Sequence, residues 1–117
     1  MKLDQPSKAV CNIVDERDCR RCVKCGISLY IARGARHHRK LRSHAFGSEK
    51  HSPCNLILLC EDCHGWVHAH PREAREHGWI VSSYQTPTEV AIDTSQYGRV
   101  LLLNEGTVTP LQMEEEE

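Results

Sequence analysis

The sequence has little with which to build a hydrophobic core. Among 117 residues it has one Phe and two Trp, with aromatics at 5% and apolar residues at 39%. Chains this short bury a smaller fraction of their surface than larger ones, so apolar packing alone can hardly account for a fold. There is no apolar run near the roughly 20 residues needed to span a bilayer, which argues against a helical membrane protein and for a soluble one with no membrane partner. The polar start Met1-Lys-Leu-Asp-Gln-Pro lacks the apolar segment of a secretory signal, so a cytoplasmic, reducing setting is expected. No internal repeat is visible. The chain length fits one domain.

Cysteine and histidine are abundant instead, at seven and eight residues. In a reducing compartment close Cys pairs read as metal ligands, and an odd count fits a disulfide framework poorly. Cys22-x2-Cys25 and Cys60-x2-Cys63 form two knuckles, and four thiolates satisfy the closed tetrahedral demand of structural zinc. Cys19-x2-Cys22 is an equally legal first pair. Gly26 after Cys25 favours the Cys22 and Cys25 choice, because a tight metal turn often needs positive φ. Cys11, Cys19 and Cys54 are then spare thiols. Structural zinc contributes on the order of 10 kcal/mol in small zinc peptides, which would offset the thin core.

The net charge of −1 hides an asymmetry. From Arg17 to Lys50 there are ten basic residues against two acids, Asp18 and Glu49, an excess of eight. Such density is the footprint expected of phosphate-backbone binding. The remainder is acidic, ending in Glu114 to Glu117, which reads as a solvated, disordered tail.

Local patterns suggest the element order. Residues 1–11, with Pro6 and no periodicity, read as a flexible arm. Asn12 to Arg21 fits a short helix with Asn12 as N-cap. Ser28 to Lys40 partly alternates and reads as a strand interrupted near Gly34. Leu41 to Pro53 has loop composition. Asn55 to Cys60 is an apolar run of strand length, and a helix follows it with Glu61 and Asp62 in its first turn. Pro71 permits a further helix, closed by Gly78. The alternating stretch Glu89 to Asp93 and the run from Arg99 to Asn104 read as C-terminal strand material. The expected division is the arm, a zinc-braced domain over 12–84, an extension with short strands over 85–113, and the tail 114–117.

Between the knuckles lie His37-His38, then Asn55, then His64 directly after Cys63. This arrangement resembles the HNH nuclease motif. The match extends through Arg-x-Cys-x2-Cys-Gly, His-His-Arg-x-Leu-Arg-Ser, Asn-Leu-Ile-x-Leu-Cys-x2-Cys-His-Gly-Trp-Val-His and Glu-Ala-Arg-Glu-His-Gly-Trp-Ile-Val-Ser. Over about residues 12–103 the chain is similar to small HNH endonucleases of tailed phages, especially those infecting actinobacteria. The resemblance implies an α+β, zinc-stabilised ββα-metal (His-Me finger) fold with short flanking helices and a C-terminal strand extension. It implies metal-dependent nicking or cutting of double-stranded DNA in the cytosol of a phage-infected bacterial host, by a monomer or weak dimer. For some family members it also implies cooperation with the phage terminase large subunit in genome packaging.

Carried over by position, His37 and His64 ligate a catalytic divalent cation and His38 is the general base. That chemistry needs an activated water, a cation to neutralise charge developing on the phosphate, and stabilisation of the departing 3′ oxygen. Neutral imidazole suits the first task. Asn55 is expected to act structurally, its amide bonding the loop backbone to hold His38 in register. Adjacent strand side chains point to opposite faces, so His37 and His38 can serve one site only with local distortion or at different depths. His at position 37, where Asp is commoner, admits Zn2+, Ni2+ or Mn2+ beside Mg2+. His68, one turn after His64, is a candidate phosphate or metal contact. Arg36, Arg39, Lys40 and Arg42 are expected DNA phosphate contacts. His44, His51, His70 and His77 read as surface residues, and Trp66 and Trp79 as core. The rival reading is a non-catalytic, zinc-stabilised DNA-binding or terminase-associated module.

Overall fold

Ser7 starts the first helix. Its hydroxyl accepts from the Val10 N–H, and α1 runs Lys8–Arg17 in the computed structural model, which describes residues 4–45 and 47–111. The helix thus begins before Asn12 and takes in the end of the expected arm. Ser7 and Asn12 are both good N-caps; the longer helix from Ser7 adds Val10 to the packing of Val14 on Leu56 and Leu58, and it ends at Arg17 and Asp18. Those two form a buried ion pair that ties α1 to the next sheet: Arg17 donates to the carbonyls of Pro53 (2.7 Å) and Leu56 (2.5 Å), and Asp18 accepts from Leu58 N–H (3.0 Å). Cys19 and Arg20 then take positive φ, so the helix cannot reach Arg21.

The expected strand over 28–40 shortens to β1, Gly34–His38, because residues 28–32 fold into a turn. Gly34 marks the start for a steric reason: a Cβ there would lie 2.6 Å from the Leu59 carbonyl oxygen. β1 pairs antiparallel with β2, Leu56–Cys60, setting His37 opposite Ile57 and His38 opposite Leu56. Asn55 itself closes a short 3-10 turn, Pro53–Asn55, one residue before the strand. α2, Glu61–Ala69, follows directly, and α3, Pro71–Glu76, ends at Gly78 with φ +79.

Three further strands, β3 (Ile92–Thr94), β4 (Gly98–Leu102) and β5 (Val108–Pro110), make a second antiparallel sheet in the order β3-β4-β5. The C-terminal stretch is no separate appendage. Ile92, Val100 and Leu102 share the buried core cluster with Ile57, Leu59, Val67 and Trp79. The molecule is a small α+β protein with two antiparallel sheets and a four-cysteine cluster. Among the described residues no helix is long and apolar enough to cross a membrane. The acidic tail Glu114 to Glu117 lies outside the described residues.

Candidate metal centres and active site

Cys22, Cys25, Cys60 and Cys63 bring their sulfur atoms within 4.8 Å of one another. The Cys25 and Cys60 sulfurs are 3.8 Å apart, and sulfurs at about 2.3 Å from a tetrahedral zinc are about 3.8 Å apart. Four cysteines with this spacing could hold a zinc ion. The first knuckle turns on Gly26, whose φ is +84 and whose N–H donates to the Cys22 carbonyl. The second is the start of α2, where the Cys60 sulfur caps the helix by accepting from Cys63 N–H. Burial pushes the Cys60 and Cys63 thiols up. Cys22 is also pushed up by burial, but the N–H groups of Cys25, Cys60 and Lys24 outweigh this and leave it lowered. Four such sulfurs can be thiolates together only with a cation among them.

The choice left open in the first knuckle falls to Cys25. Cys19 lies outside the cluster, its sulfur 3.8 Å from both the Tyr97 hydroxyl and the Arg17 carbonyl oxygen.

A second cluster joins β1 to α2. His37, His64 and His68 each present a ring nitrogen, all within 4.8 Å of one another, and could hold a metal ion. The Nε2 atoms of His64 and His68 are 3.2 Å apart, close to the roughly 3.3 Å between two nitrogen ligands of one tetrahedral cation. His37 is 2% exposed. Its Nε2 lies 2.9 Å from the Trp79 carbonyl oxygen and must donate to it, which leaves Nδ1 with its lone pair for a ligand role. Burial pushes His37 down to about 3, with the neighbouring imidazoles adding to the effect, so the ring is neutral near pH 7. His64 is lowered for the same reasons, burial first and then His68. His68, a lesser candidate in the sequence, stands in the cluster on equal terms with His64; the i, i+4 spacing on α2 was the available signal.

His38 has a different partner. Its Nε2 lies 3.0 Å from His51 Nδ1, and burial, then His51 and Arg42, pushes it down to about 4. Adjacent on the strand, the two rings thus have different hydrogen-bond partners.

Asn55 is fully buried. Its Oδ1 accepts from Lys40 N–H (2.7 Å), and its Nδ2 donates to the carbonyls of Lys40 (3.2 Å) and Lys50 (3.1 Å). Its own carbonyl accepts from Arg39 N–H at 2.8 Å. The side chain therefore stitches the end of β1 to the loop that returns toward β2.

Two of the expected phosphate contacts are corrected. Arg39 is 0% exposed, and its guanidinium donates to the carbonyls of Gly78, Cys54, Pro87 and Val90 at 2.9 to 3.2 Å. Lys40 is buried too, with its ammonium on Glu49 (3.1 Å) and the Gln85 carbonyl (2.9 Å). Both hold loops together, because a buried cation needs its donors satisfied inside. Arg36 and Arg42 are exposed; Arg36 pairs with Asp15, and Arg42 with Asp4. Of the four histidines read as surface residues, His51 bonds His38, His77 bonds Asp93 at 2.7 Å while stacking on Trp79, and His70 stacks on Trp66.

Comparison with protein-family models, with curated proteins and with solved structures found no match.

Proposed function

We propose that the chain is a metal-dependent HNH DNA endonuclease in which the β1–β2 hairpin and α2 form a ββα-metal core. The observation that carries this reading is the convergence of His37 from the strand with His64 and His68 from the helix. His38 lies next to it on β1, and Asn55 clamps the chain two residues further on. The resemblance in residue order supports the same assignment.

In this reading His37, His64 and His68 hold a divalent cation, which when bound would neutralise phosphate charge and favour departure of the 3′ oxygen. Three imidazoles without a carboxylate suit Zn2+, Ni2+ or Mn2+ at least as well as Mg2+. His38, kept neutral by its surroundings, accepts the proton of the attacking water. Asn55 fixes the backbone that carries His38. Arg36 and Arg42 remain as surface cations for phosphates, each first having to leave its carboxylate. The four-cysteine site holds structural zinc. The setting would be the cytosol of a phage-infected bacterium, with double-stranded DNA as substrate and the terminase large subunit as a packaging partner.

Zinc-loaded protein incubated with supercoiled plasmid across a cation series tests this directly. Nicking that falls at least about 100-fold in His38→Ala and in His68→Ala fits the proposal. A gel shift without cleavage under any cation would instead favour the non-catalytic DNA-binding module.

A further inference from the structure

His38 does not end its own hydrogen-bond chain. His51 Nδ1 is 3.0 Å from His38 Nε2, and His51 Nε2 is 2.9 Å from Asp4 Oδ1. The other carboxylate oxygen of Asp4 is held by Lys50 Nζ at 2.8 Å, and Arg42 bonds the Asp4 backbone carbonyl. The two rings sit 5.1 Å apart, edge to face.

The direction of the chain follows from which atoms can donate. An ionised carboxylate only accepts, so His51 Nε2 carries its proton toward Asp4. When Nε2 carries the single ring proton of His51, its Nδ1 has a lone pair, and His38 then donates to it from Nε2. The one nitrogen of His38 left free to take a proton is Nδ1. Resting on the nuclease reading, we infer that Asp4 and His51 are positioning residues for His38, fixing its ring in the Nε2–H tautomer with Nδ1 as the proton acceptor.

The same chain serves the ring after it acts. When Nδ1 takes a proton from water, the imidazolium can pass its Nε2 proton to His51 Nδ1, and the positive charge moves beside the Asp4 carboxylate. One proton enters, one shifts, and no other reactant is needed. His51 has the larger part, since its side chain is 19% exposed against 60% for Asp4, and solvent competes for the outer bond.

The test reads the tautomer and the activity separately. Long-range 1H–15N spectra of the zinc-loaded chain should place the His38 proton on Nε2. His51→Ala should give a mixture of tautomers and lower kcat for plasmid nicking on the order of tenfold or more, with KM little changed. His51→Gln keeps an acceptor for His38 Nε2 and should restore the single tautomer and most of kcat. Asp4→Ala should lie between wild type and His51→Ala on both readouts. A wild-type proton on Nδ1, or a tautomer unchanged by His51→Ala, overturns the inference whatever the activity. Absence of nicking in wild type, with the tautomer responding as stated, overturns the nuclease reading alone.

Discussion

Asn55→Ala is the most informative single substitution, because its cost can be worked from three bonds. The change removes the acceptor for Lys40 N–H and the donor for the Lys40 and Lys50 carbonyls. Each bond contributes about 1 kcal/mol net, and a buried group left without a partner costs about 1–3 kcal/mol. Water can reach part of the vacated space, so the expected loss is about 3 kcal/mol. For a chain of this size that corresponds to a fall in Tm of roughly 12 °C. Urea unfolding followed by tryptophan fluorescence, at a fixed excess of zinc so that metal linkage is constant, measures the stability term. Hydrogen exchange at the Lys40 amide measures the local one. Asn55→Asp sharpens the case: it keeps the acceptor for Lys40 N–H but turns an oxygen toward two carbonyls. The carboxyl would be raised above its unfolded pKa, so this variant should regain stability as pH falls through that range, while Asn55→Ala should not. A loss under about 1 kcal/mol, with the Lys40 amide still protected, would refute the clamp.

Three further outcomes follow from the geometry. Cys25→Ser should release zinc, as measured by elemental analysis after dialysis, and cost much of the fold, since structural zinc is worth on the order of 10 kcal/mol against total stabilities of about 5–15 kcal/mol; Cys19→Ser should leave zinc content unchanged. Arg39→Lys should destabilise by about 2–4 kcal/mol in denaturant, because an ammonium cannot span four carbonyls as a guanidinium fork does, whereas Arg42→Gln should leave stability intact and lower the salt slope of the proposed DNA binding by about 1. Burial pushes the Asp93 carboxyl up, but His77 and Arg99 outweigh it and hold it low; its contribution is therefore present above the ordinary carboxylate range and is lost as pH falls through the depressed value, and Asp93→Asn should flatten the acid limb of a Tm-against-pH curve.

Much of the arrangement was legible because metal-ligand and capping patterns are local. The two Cys-x2-Cys knuckles, the Asn before an apolar strand, the acids opening α2 and the Pro71 and Gly78 pair bounding α3 each act within a few residues. The start of α1 was not, since Ser7 and Asn12 are equally good caps and the choice is made by Val10 packing with Val14 on Leu56 and Leu58 of β2. Arg39 and Lys40 misled for a related reason. In sequence they belong to a basic run; in space Arg39 meets carbonyls from residues 54, 78, 87 and 90, and no local pattern announces partners so far apart. The Asp4–His51 pair spans 47 residues and left no signal either.

Residues 36–40 show how so slight a core can carry a site. Arg36 faces Asp15, His37 meets the α2 histidines, His38 meets His51, Arg39 fills the interior and Lys40 locks onto Glu49. The backbone of the same stretch is held from two sides, by Asn55 through Arg39 N–H and Lys40 N–H and by Val81 N–H on the Arg39 carbonyl. Polar cross-links here do what large aromatic side chains do elsewhere, and they are directional where apolar packing is not. That difference bears on function. A strand held by apolar contacts can slide by small amounts at little cost, whereas each of these bonds weakens steeply once its angle falls below about 120°. His37 and His38 are thereby set by their neighbours on both sides, so removing Arg39 or Asn55 should disturb the orientation of both rings while leaving every proposed ligand present in the chain.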